Sequence, residues 1–448
     1  MASRKRHTTV EPFALEHTNI VTGDDEGRTL HDMTIVIDES GRISDVMPSP
    51  QIAVPQGYHR IDASGKFVAS GLINMHVHLF ADGKPIDPRQ ATPRGQALLA
   101  GLVRTPVGRA YIRKKAISGL DTLLNSGVTT IRTVGDVGYT VVGLRDKIAA
   151  GKLLGPRVFA SGPMLASPGG HGAPLVALEC KDEEAARRNA EANIDHGVNA
   201  IKIAATGGIT DSQVAGEAGS PQMDVASMRT ICDAAHACGL IVAAHAQSPE
   251  GVMNALTAGV DTIEHGSELT DEMIALFHEN PNSLHGYSSL IPTLSAGMSI
   301  NAFPREVTGI TEIQYENSKP VAEGMLEGAR QAHMNGIRVG VGTDTGMTFV
   351  TQYATWRELY LLTHYAGFTA AEAFYAATRV NAEILGIGGE TGSIEVGKCA
   401  DLLVLDADPT QNLRTLAAPK LVVAAGRPVW RPSVKRFDDI DRRLDERL

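Results

Sequence analysis

A chain of 448 residues with 41 Lys and Arg against 51 Asp and Glu is mildly acidic, at a formal net charge of −10. That balance excludes nucleic acid or an anionic membrane as the principal partner, since both require a concentrated positive field. The length exceeds one ordinary hydrophobic core, and 43% hydrophobic against 21% charged residues is globular composition, so two domains or one large barrel with an accessory domain is expected.

The opening "MASRKRHTTVEPF" is basic but runs into no apolar segment, so it does not read as a secretory signal. No stretch reaches the roughly 18 apolar residues of a membrane span. Cys180, Cys232, Cys238 and Cys399 are scattered without metal or disulfide spacing. A soluble cytoplasmic protein with reduced thiols is the expectation.

The first seventy residues read as short strands. "MTIVID" (33–38), the turn "ESG" and "RISDVM" form a hairpin pattern. Strand-like runs return at 400–409 and 420–430. Residues 1–70 and 387–448 are therefore expected to build one small β-sandwich domain from both termini, around a separate unit at 71–386.

That middle unit alternates. Apolar runs at 73–80, 128–135, 156–162, 199–208, 240–247, 260–267, 288–295 and 337–344 are separated by helical patterns. Residues 226–239 place Met228, Ile231, Cys232 and Ala235 on one helix face. Thr369 and Glu372 have the spacing of a capping box ahead of Phe374 and Ala377. Eight strands alternating with helices predict an α/β fold, a (β/α)₈ TIM barrel. A doubly wound open sheet competes, but no run is followed by a glycine-rich dinucleotide turn.

Barrel chemistry gathers at the C-terminal ends of the strands, and titratable residues fall there. His76 and His78 lie in "NMHVHLF", Lys202 in the fourth run, His245 in the fifth, His265 in the sixth and Asp344 in the eighth. Two histidines one residue apart share a strand face and can converge on one ion. A lone buried histidine is more often a hydrogen-bonded core residue, and Asp344 could simply cap a helix. Their conjunction at separate strand ends favours one shared metal site over unrelated accidents.

An ammonium cannot ligate a cation. A buried neutral lysine amine, however, can add carbon dioxide to form a carbamate with two oxygens, suited to bridging two metals. A structural salt bridge is the other reading of Lys202, and the sequence does not separate the two.

These residues resemble the amidohydrolase superfamily of metal-dependent hydrolases. "MHVH" is similar to its first-strand signature, "IKIAATGG" to its carboxylated-lysine strand, and "AAHA" and "IEHG" to its fifth- and sixth-strand histidines. "GTD" resembles the eighth-strand aspartate, and "GSIEVGKCADLLVLDADP" the C-terminal β-domain signature. "GGHGA", "EAGSPQMDVASMRTICDAAHACG" and "IPTLSAG" are similar to the imidazolonepropionase-related branch. That branch contains Xaa-Pro and Xaa-Arg dipeptidases and ochratoxin-type amidases, near carbamate- and phenylurea-cleaving relatives.

The resemblance implies that His76, His78, Lys202 and Asp344 hold a first metal, and that carboxylated Lys202 with His245 and His265 holds a second. Zinc suits these donors first, with manganese, cobalt or iron as alternatives. It further implies hydrolysis of a C–N bond in a dipeptide, N-acyl amino acid, carbamate or urea. A hydroxide shared by the metals attacks the carbonyl, Asp344 acts as general base and then acid, and His171 handles the substrate. A homo-oligomer acting on a small molecule is the implied assembly.

Substrate choice rests on loops. The stretch 81–118 reads as a long loop bearing Arg89, Arg94, Arg104 and Arg109, one of which could pair with a substrate carboxylate. Segments 162–174 and 207–222 read as pocket walls. Two rival functions are a mononuclear deaminase on the same barrel and a non-catalytic scaffold. The deaminase would need a glutamate shortly after a strand-end histidine, whereas His245 precedes Ala-Gln-Ser-Pro. The scaffold would be expected to have lost a ligand.

Overall fold

Seven of the eight expected runs form strands in this computed structural model, which describes residues 10–85, 87 and 92–447. The barrel strands are Leu72–Val77, Val128–Thr133, Arg157–Phe159, Ala200–Ala204, Ile241–Ala246, Thr262–His265 and Ser289–Ile291. Within Leu72–Phe159 and within Ala200–Ile291, successive members pair in parallel. The third joins the fourth through one backbone bond, Asn199 N–H to Ala160 O at 2.7 Å.

The eighth run is too irregular for a ladder, yet it closes the ring. Leu290 N–H donates to Arg338 O at 3.0 Å, Met75 N–H to Val341 O at 2.9 Å and Asp344 N–H to His76 O at 3.0 Å. Its sequence explains the irregularity. A Cβ at Gly342 would lie 2.7 Å from the His76 Cβ, so only glycine lets this run approach the first strand. The result is a (β/α)₈ barrel whose closing segment delivers Asp344 beside His76.

Asn381 secures that closure from beneath. It is fully buried, donates from Nδ2 to Ile73 O at 2.8 Å and Val341 O at 2.9 Å, and accepts from Val341 N–H at 3.0 Å. Asn381→Ala removes all three bonds, though Val341 O keeps the Met75 N–H, and is expected to cost about 2–4 kcal/mol. Urea unfolding at fixed pH checks this, and a loss below about 0.5 kcal/mol would contradict the role.

The chain ends share one eight-stranded mixed sheet. Phe67–Ser70 pairs antiparallel with Leu402–Leu405, with Ser70 opposite Leu402, and so joins the two termini. The 33–38 run lies in strand Thr29–Ile37 and forms the expected hairpin with Ile43–Pro48. Residues 420–430 divide into Leu421–Ala424 and Arg427–Trp430 around Ala425 and Gly426, both at positive φ, as a two-residue hairpin turn requires.

Helix Val225–His236 buries Met228, Ile231, Cys232 and Ala235 and is capped by Asp224. The Thr369–Glu372 capping box forms both of its bonds, at 2.7 and 3.1 Å. The stretch after the first strand is not one long loop. It folds into helices Pro93–Val103 and Pro106–Asn125, because Thr92 and Thr105 each cap a helix that starts on proline. Segment 162–174 likewise contains a short strand, Met164–Ala166, paired with Ala177–Glu179. Among the described residues no helix is long and apolar enough to cross a membrane.

Candidate metal centre

The candidate side chains gather at the C-terminal rim of the barrel. His76 lies in the first strand and His78 just beyond it, Lys202 is in the fourth, and His245 and His265 are in the fifth and sixth. Asp344 ends the closing run. Ligand atoms of His76, His265 and Asp344 lie within 4.8 Å of one another. The Asp344 Oδ1 is 3.4 Å from His76 Nε2 and 3.0 Å from His78 Nε2. The His265 ring stands 5.0 Å from His76 and 4.6 Å from His245, centre to centre. His265 and Asp344 take φ values of 73° and 59°, a backbone cost that concentrates at functional sites.

Two side chains that sequence reasoning passed over orient this cluster. Glu264 and Arg132 are completely buried. Arg132 donates to Glu264 Oε1 at 2.6 Å, to Thr262 Oγ1 at 2.8 Å and to Met75 O at 2.7 Å. The other Glu264 oxygen is 2.7 Å from His76 Nδ1. A carboxylate only accepts, so Nδ1 carries a hydrogen toward Glu264, which fixes the ring with Nε2 facing Asp344. His265 Nδ1 contacts Thr293 Oγ1 at 2.6 Å, which anchors that ring as well. The signal was in the runs themselves: a charged residue inside "VTTIRTVG" and another inside "VDTIEHGS".

The electrostatics ready these groups as donors. Burial, together with the His171 and His265 rings, pushes His245 well below the ordinary imidazole range. Burial and His76 do the same to His265, and burial lowers His78. Burial opposes the charge on Asp344, yet the His76 and His78 rings outweigh it and hold this carboxyl well below the usual range. Burial opposes the charge on Glu264 too, but Arg132 and then His76 keep it ionised. Burial thus favours neutral imidazole at His78, His245 and His265 beside a carboxylate, the donor chemistry of divalent transition metals.

Two buried atoms fit the same interpretation. Lys202 Nζ and His78 Nδ1 have no hydrogen-bond partner among the described residues. Burial lowers Lys202 to about 8. The aspartate salt bridge left open by the sequence is not formed. An orphaned buried amine and an orphaned ring nitrogen are costly without a further group to engage them.

His171 comes to the rim as well. Its ring stacks on His245 with centres 3.9 Å apart, its Nδ1 contacts Asp211, and its backbone N–H donates to Gln222 Oε1 at 2.9 Å. The arginines do not converge here. Arg94 and Arg109 are exposed on the helices after the first strand, Arg104 is exposed in the turn between them, and Arg109 bonds the Arg104 carbonyl. Arg89 lies outside the described residues.

The sequence profile of the amidohydrolase family matches residues 67–429. The chain belongs to that family. Its fold and metal-type cluster follow this metal-dependent family's plan. A Bifidobacterium longum structure provisionally named a prolidase is 57% identical, covering 98% of this chain and 99% of its own, at a TM-score of 0.87. A Xaa-Pro dipeptidase structure with methionine in its active site is 27% identical over 94% of this chain and all of its own, at a TM-score of 0.80. Ochratoxinase from Aspergillus niger is 24% identical, spanning 90% of this amidohydrolase and 83% of that protein.

Proposed function

We propose that this amidohydrolase hydrolyses a C–N amide-type bond at a binuclear centre, with dipeptides, Xaa-Pro among them, as the first substrate class. The observation that carries this reading is the orphaned, fully buried Lys202 amine among His76, His78, His245, His265 and Asp344. Such an amine fits a carboxylated lysine shared between two ions. The prolidase name of the 57% identical relative supports the choice of dipeptides. N-acyl amino acids, carbamates and ureas are the remaining classes.

In this reading His76, His78, Lys202 and Asp344 hold one ion, and Lys202, His245 and His265 hold the second, with zinc as the metal. Bound divalent ions would polarise the scissile carbonyl and bring the pKa of water to about 7. Asp344, kept ionised by the facing imidazoles, takes the proton of the attacking water and passes it to the leaving amine. His171 bonds the carbonyl oxygen as charge builds on it. Glu264 holds the His76 ring at one angle throughout. The chain is further taken to work in the cytoplasm as a homo-oligomer. Exposed Leu98, Leu102, Val107 and Tyr111 on two consecutive helices support the assembly.

Carbon dioxide adds only to an unprotonated amine. With Lys202 lowered to about 8, that form is about a tenth of the population at pH 7 and about nine tenths at pH 9. At a fixed concentration of dissolved carbon dioxide, activation of metal-free protein by zinc should therefore accelerate about tenfold between those pH values. A flat rate would separate Lys202 from activation.

A hydrolysis screen of the zinc-loaded protein tests the activity. Release of free amino acids from dipeptides is expected. Activity confined to lactones, or deamination by a protein holding one ion per chain, would overturn the reading.

A further inference from the structure

Two loops from adjacent strands meet at His171. The loop after the third strand carries His171, and the loop after the fourth carries Asp211 and Gln222. Gln222 Oε1 accepts the His171 backbone N–H, while Asp211 Oδ2 takes the ring at Nδ1. Among the described residues the Asp211 carboxylate bonds no other group, while its backbone carbonyl accepts from Gln213 Nε2 at 3.1 Å. Its backbone is not free to drift. It ends a short turn, Ile209–Asp211, whose Thr210 carbonyl accepts from Gln314 Nε2 at 2.6 Å, and Ser212 Oγ donates to Gly208 O at 2.9 Å. Gln314 belongs to helix Glu312–Met334, so a third element fixes the turn. A Cβ at Gly208 would collide with the His171 ring at Nδ1, so the turn is shaped to admit this ring.

We propose that Asp211 is a positioning residue for His171, setting both its tautomer and its orientation against His245. This role rests on the proposal above that His171 handles the substrate. A carboxylate has no hydrogen to give, so the contact requires the His171 hydrogen on Nδ1. Nδ1 is thereby committed, and Nε2 is the ring nitrogen left to meet the substrate. Stacking on His245 fixes the ring plane, Gln222 fixes the backbone, and Asp211 fixes the rotation that neither of those determines.

The test combines histidine-labelled nitrogen NMR with kinetics on the zinc-loaded protein. The His171 ring signal is assigned by its loss in His171→Asn. In the unaltered chain the hydrogen is expected on Nδ1, and in Asp211→Ala the Nε2 form appears. Asp211→Ala should lower kcat about 10–100-fold, as for other histidines that lose an orienting carboxylate. KM and zinc content should stay within about threefold, and Asp211→Glu should recover part of the loss. A His171 hydrogen found only on Nε2 in the unaltered chain, or wild-type kcat in Asp211→Ala, would overturn the proposal. An unaltered chain that hydrolyses no amide would instead sink the enzymatic reading, and the ring signals would still decide whether Asp211 sets the tautomer.

Discussion

Asparagine in place of Asp344 is expected to lower kcat by about 10²–10⁴-fold, the range for losing a general acid–base group. The substitution isolates the proton-transfer role. Position 344 sits at φ 59°, a conformation asparagine tolerates far better than most residues, so the backbone should stay in place. The asparagine side chain keeps the shape and one acceptor oxygen beside His76 and His78, but its amide cannot take a proton from water. Zinc content, measured alongside kcat, should remain at half or more of the wild-type value. Near-normal turnover with metal still bound would show that the proton goes elsewhere.

The second large effect concerns Arg132, which approaches no candidate ligand directly. Arg132→Met leaves the Glu264 charge buried with only Thr262 and His76 beside it. Removing one partner of a buried ion pair costs about 3–5 kcal/mol. The urea midpoint should fall accordingly, and the affinity for zinc should drop about 10–100-fold, because Glu264 orients the His76 ring. Arg132→Met combined with Glu264→Gln removes the stranded charge and should recover part of the stability while leaving zinc binding weak. If the double variant were as unstable as the sum of the two single variants, the ion pair would not be what links them.

Much of this was legible in the sequence, because barrel strands buried on both faces are apolar, and polar residues stand out against them. His76, Lys202, His245 and His265 are legible for that reason, and they do meet at one rim. Arg132 and Glu264 interrupt apolar runs in the same way. Their pairing is long-range, between the second and sixth strands, and no local spacing announces it. The eighth strand appears in the sequence as "IRVGVGTD", but its glycines turn a regular ladder into isolated bridges. The two helices between residues 93 and 125 were obscured by their prolines and glycines and by weak periodicity; their signal was Thr-Pro at each start. Asp211 could not be found at all from sequence, since its partner His171 is forty residues away across two loops.

The most direct test of the central claim is X-ray diffraction at the zinc absorption edge from crystals of the zinc-loaded protein. The account predicts two anomalous peaks about 3.5–4 Å apart, one beside His76, His78 and Asp344 and the other beside His245 and His265. Density for a carboxylated Lys202 should lie between them. Peaks away from these residues, or a single peak with Lys202 as a free amine, would contradict it.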